Sequence, residues 1–166
     1  CFPYDRRPGR RGTGQIGITS FSVPPGSTPF WAAHFDRHGV EHTGIQERFG
    51  ARSIRVTHPA GLLLEVVENP GDPRRPWTTP EISADVAIRG FFGAVMSVQD
   101  VEEQERFLVD ALGFRKVGVE GAWHRFEIPY GGPDRTIELL HEPGRPQWSW
   151  TFGAGTYHHI AFNVET

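Results

Sequence analysis

Only one cysteine, Cys1, and one methionine, Met96, occur among the 166 residues. A single thiol excludes an internal disulfide framework and predicts a reducing compartment. Basic residues are not in excess: 17 Lys and Arg face 20 Asp and Glu, a formal net charge of -3. That balance excludes a general affinity for nucleic acid. No apolar run approaches the roughly 18 residues of a membrane span, so no membrane partner is expected and the protein is expected to be cytoplasmic. The chain opens on Cys1 rather than Met and its last pattern stops soon after Tyr157, so we expect an internal fragment.

What is abundant is Gly, with 20, and Pro, with 14, beside an apolar fraction of 37%. Such a composition predicts short strands joined by many turns, in a chain long enough for a real core. Residues 1–14 read as the tail of a preceding unit and a loop with Arg6, Arg7, Arg10 and Arg11, most simply a solvated loop. Gly12-Thr13-Gly14-Gln15-Ile16-Gly17 matches GxGxxG, but an alternating strand follows it where a dinucleotide site needs a helix.

The chain then repeats itself. Ile16–Val23 reads as a strand, Ser27 or Thr28 caps a helix ending near His38-Gly39, and extended runs follow at His42–Phe49, Arg52–Thr57 and Gly61–Val67. A Pro-rich linker, 70–87, leads to a second strand, Ile88–Val98. Asp100 caps a helix over Val101–Leu112, and strands follow at Arg115–Val119, Trp123–Ile128 and Thr136–Leu140. The intervals Val23 to Gly39 to Glu65 and Val98 to Gly113 to Glu138 agree within one residue. This internal repeat predicts an α+β fold of two complete βαβββ units, 15–69 and 88–142. A second linker, 143–156, carries Trp148 and Trp150, expected to pack on the sheet. Residues 157–166 read as the first strand of a further, truncated unit.

Three sets of residues bear on chemistry. In Tyr157 to Val164, strand alternation puts His159, Ala161 and Asn163 on one face and His158 with Ile160, Phe162 and Val164 on the other. His159 then has the surroundings of a metal ligand or of an ordinary structural histidine. His34 and His38, four apart on a helix, share a face, but with no third ligand in view they read as a surface pair. Glu65 and Glu138 sit within apolar strands, where a charge needs a partner or a ligand role.

Repeated βαβββ units resemble the glyoxalase/bleomycin-resistance/dioxygenase superfamily, also called vicinal oxygen chelate, whose units form curved mixed sheets. The resemblance to ring-cleaving dioxygenases of catechols and hydroquinones rests on Val23-Pro24-Pro25-Gly26-Ser27 with Phe30-Trp31, Glu47-Arg48-Phe49-Gly50, Ile88-Arg89-Gly90-Phe91 and Gly155-Thr156-Tyr157-His158-His159. It implies a site of two His and one carboxylate on Fe(II) or Mn(II), one ion per complete site, with a small aromatic substrate and dioxygen as partners. By that resemblance His159 is a metal ligand, and His158 is a catalytic residue that hydrogen-bonds or deprotonates a phenolic oxygen. The matching histidine positions of the two complete units hold Ile18 and Gly93, so Glu65 and Glu138 are expected to be vestigial or structural and this chain alone inactive. The resemblance also leaves room for a glyoxalase-type lyase or isomerase and for a metal-free binder of aromatic ligands. A homo-oligomer that completes the site stays open.

Overall fold

The structure is a computed structural model that describes residues 7–130 and 132–161. The element order is β1 (Gln15–Val23), α1 (Thr28–Arg37), β2 (Gln46–Arg48), β3 (Ala51–Thr57), β4 (Leu63–Glu68), then β5 (Gly90–Val98), α2 (Val101–Arg106), β6 (Arg115–Glu120), β7 (Trp123–Glu127) and β8 (Thr136–His141). A π-helical turn, Phe107–Ala111, extends α2. The order βαβββ therefore occurs twice.

All eight strands join one curled mixed sheet in the order β2-β3-β4-β1-β5-β8-β7-β6. In each unit the first strand runs parallel to the last, β1 with β4 and β5 with β8, while β1 and β5 meet antiparallel at the centre. That symmetric order is what two copies of one unit give when their first strands pair. Both helices cover the same face. Under α1, Trp31 packs with Val23, Ile54 and Val66; under α2, Val101 and Leu108 pack with Ala94, Phe126, Ile137 and Leu139. The apolar side chains recur at strand and helix spacing, so each element buries one face.

Local chemistry sets the helix ends. Asp100 accepts from the Glu103 N–H at 3.0 Å, as a capping side chain does. Ser27 instead donates its hydroxyl to Pro24 O, and the start of α1 is capped from outside by Glu68, whose Oε1 accepts from Thr28 N at 2.9 Å and Thr28 Oγ1 at 2.6 Å. Gly39 and Gly113 follow the two helices with φ of 64° and 72°, conformations a Cβ would strain.

Two expectations need correction. Tyr157–Ala161 is irregular rather than a strand, and the remainder of that run, with Asn163, lies outside the described residues, as does Cys1–Tyr4. Tyr157 donates its hydroxyl to Leu63 O, on β4, at 2.7 Å. Trp148 is 68% exposed, with φ of 57°, and its ring lies against Gly14, the residue before β1, rather than over the strands. Its linker pairs with the Arg-rich loop, where Arg10 and Thr151 exchange both backbone hydrogen bonds at 2.8 Å. No helix among the described residues is long and apolar enough to cross a membrane.

Candidate functional site

Cross-strand rows assign the two faces of the sheet. Leu64, Thr19, Ala94 and Ile137 align across β4-β1-β5-β8 and lie on the helix-bearing face, because Ala94 and Ile137 belong to the core under α2. The next rows, Glu65-Ser20-Gly93-Thr136 and Leu63-Ile18-Val95-Glu138, face the other way. Ile18 and Gly93 thus share a face, and rows, with the two strand glutamates.

Arginines hold those glutamates. Arg48, on β2, reaches Glu65 Oε2 and Glu138 Oε2, each through Nη2 at 2.8 Å. Arg125, on β7, donates to Glu138 Oε1 through Nε at 2.8 Å and Nη2 at 2.6 Å. Ser20 donates to Glu65 at 2.9 Å, and Arg55 lies 3.5 Å away. Arg48 sits 4.3 Å from the Trp123 ring centroid, and Arg125 the same distance from that of Phe49. Burial pushes the Glu65 carboxyl up, but the hydrogen bonds and charge of Arg48, then Arg55 and Ser20, outweigh it and hold it below its ordinary value.

This face does not fit a metal ion. Guanidinium groups occupy the carboxylates, Ile18 has no donor, and a Cβ on Gly93 would come within 2.2 Å of Thr136 O, so no imidazole fits there. Glu65 and Glu138 act as the anionic centre of a buried ion-pair cluster that joins the two units.

The other face carries a cleft of about 540 Å³ lined by Phe21, Leu64, Phe91, Ile137, Ile160 and His159, with Thr19 and Asp134 among its polar groups. Phe21 and Phe91 stack at 5.1 Å. The Nδ1 atoms of His158 and His159 lie 2.8 Å apart, a hydrogen-bond distance. Both imidazoles are exposed, and His158 meets Phe152 edge-on at 5.2 Å. Strand alternation predicts them on opposite faces; the irregular backbone brings them together. No third His, Cys, Asp or Glu completes a metal group with them among the described residues. His159 offers one imidazole donor beside the apolar cleft, a donor type that suits transition metals.

One group of three side chains with atoms able to ligate a metal comes together among the described residues: His34, His38 and Glu81, with those atoms all within 4.8 Å of one another. The surface-pair reading of His34 and His38 missed Glu81, because it arrives from the linker, beyond any helical spacing.

No family model matches the chain. It is 38% identical over 165 residues to MhqO of Bacillus subtilis (strain 168), a candidate ring-cleaving dioxygenase, covering 98% of this chain and 51% of that protein. It is 30% identical over 158 residues to the chlorohydroquinone/hydroquinone 1,2-dioxygenase of Sphingobium indicum, covering 94% of this chain and 49% of that protein. A crystal structure of a candidate dioxygenase from Bacillus subtilis superposes with a TM-score of 0.83 at 35% identity, over 93% of this chain and 48% of that one. Glyoxalase I from Zea mays shares the fold, with a TM-score of 0.55 at 16% identity, over 93% of this chain and 50% of that one. The chain spans about half the length of the curated relatives it matches.

Proposed function

We propose that the chain, whose fold is that of the glyoxalase/bleomycin-resistance/dioxygenase superfamily, serves a metal-dependent ring-cleaving dioxygenase acting on a catechol- or hydroquinone-type aromatic. The observation that carries this reading is the identity to ring-cleaving relatives over nearly the whole chain. The apolar cleft beside His159, with its stacked Phe21 and Phe91, supports it as a place for an aromatic ring.

In this reading His159 is one ligand of an Fe(II) or Mn(II) ion whose other ligands come from outside the described residues. The ion, when bound, supplies the open positions and the redox chemistry that activation of dioxygen requires. His158, 2.8 Å from His159 through their Nδ1 atoms, holds or accepts the proton of a phenolic hydroxyl. Apolar walls orient the ring and exclude water from it.

The test is oxygen consumption by the full-length protein with hydroquinone or catechol, after anaerobic loading with Fe(II) or Mn(II). Uptake with a ring-opened product is expected. Turnover that persists without oxygen would instead indicate a glyoxalase-type lyase or isomerase. A second reading, a metal-free binder of aromatic ligands, is favoured by one observation: Arg48 and Arg125 occupy the strand carboxylates. Aromatic binding insensitive to a chelator, with no oxygen uptake, would support it.

A further inference from the structure

His34 and His38 stand one turn apart on α1, with ring centroids 4.5 Å apart. Glu81 approaches them from the linker, its Oε2 3.5 Å from His38 Nε2. Both sides of the group are anchored. Phe30 stacks on the His34 ring at 5.6 Å and 17°, and Trp31 meets it edge-on at 5.7 Å. On the linker side, the Ile82 N–H donates to Thr79 Oγ1 at 3.2 Å, the Ile82 side chain packs on the core under α1, and Trp31 Nε1 donates to Val86 O at 2.9 Å. The Nδ1 of His34 is buried without a hydrogen-bond partner, which leaves the imidazole unsatisfied in the absence of a ligand.

We propose that His34, His38 and Glu81 bind one divalent ion of the Zn(II) class, with water in the fourth position, and so tie the linker to α1. Two imidazoles and one carboxylate suit Zn(II) and its transition-metal neighbours, whereas Mg(II) and Ca(II) require sets of oxygen ligands. Donors now within 4.8 Å need to close to roughly 3.4 Å around a tetrahedral ion. His38 and Glu81 are exposed side chains free to make that adjustment. None of the three residues lines the cleft that holds His159, so this site stands whether or not the ring-cleaving reading holds.

The test is Zn(II) per chain by elemental mass spectrometry after gel filtration, with calorimetric titration, in protein carrying His158→Ala and His159→Ala. That background removes the other histidine pair. One ion per chain is expected, with a thermal midpoint raised by about 5–10 °C at a hundredfold excess over Kd, and no effect from Mg(II). His38→Ala and Glu81→Gln, both at exposed positions, should each weaken binding at least tenfold without lowering the metal-free midpoint. Absence of bound Zn(II), or binding unchanged in both variants, would overturn the proposal and leave His38 and Glu81 as a plain surface ion pair.

Discussion

Arg48 shows how a single side chain can decide what a face of the sheet does. It is held between Glu65 and Glu138, carboxylates from different units, and its side chain is 9% exposed while theirs are 0% and 3%. Replacing both partners of such a pair with apolar groups can be nearly neutral, but removing one strands a buried charge. Arg48→Ala should therefore destabilise the fold by about 3–5 kcal/mol, measured by urea unfolding. A loss below 1 kcal/mol would show that the carboxylates find water instead. Because the Glu65 pKa is depressed in the folded state, its stabilisation is complete above its ordinary value of 4.5 and is lost as pH falls below it. The sequence made this half legible: a charge inside Leu62-Leu63-Leu64-Glu65-Val66-Val67 demands a partner. Its identity was hidden, because Arg48 comes from an edge strand and reaches Glu138 of the other unit as well. The absence of donors at Ile18 and Gly93 was legible directly.

Elements were readable where their signals are local. Asp100 and Gly113 bound the second helix in sequence and in structure. At α1 the cap is the distant Glu68, which no local rule could place. Burial raises the Glu68 carboxyl and the Thr28 hydrogen bonds pull it lower, to a net position below its ordinary value. Glu68→Ala should cost about 1 kcal/mol, a fall of roughly 2–4 °C in the thermal midpoint; an unchanged midpoint would mean that water caps α1 equally well. The linker has its own anchor in Asp72. Burial pushes this carboxyl up, but the Arg74 guanidinium at 2.8 Å and the Arg74 N–H bring it down to about 2. Its contribution is therefore present above pH 3.8 and disappears as pH falls towards 2. Asp72→Asn should flatten the acid limb of the stability curve over that window, and an identical limb would rule this anchor out. The final histidine segment alternates as a strand does, yet its described part, Tyr157–Ala161, is irregular.

At the scale of the whole molecule, the repeat was the most legible feature, because matching intervals survive even where side chains diverge. What the repeat could not disclose is the division of labour between faces. One face carries the arginine-held carboxylates that bind the units together, and the other carries the helices, the cleft and His159. The two units should therefore be energetically coupled through the cluster. In a double-mutant cycle, Arg48→Met and Glu138→Gln should show an interaction of about 1–3 kcal/mol, whereas simple additivity would make the cluster incidental to joining them. The central claim, that His159 belongs to the metal centre of a ring-cleaving enzyme, is tested most directly by iron content. It should be counted in full-length protein carrying His38→Ala, after anaerobic loading with Fe(II), with and without His159→Ala, while oxygen uptake on hydroquinone is followed in the same samples. Loss of one equivalent of iron together with the uptake on His159→Ala is the predicted result. Iron and uptake both unchanged by that substitution would contradict the account.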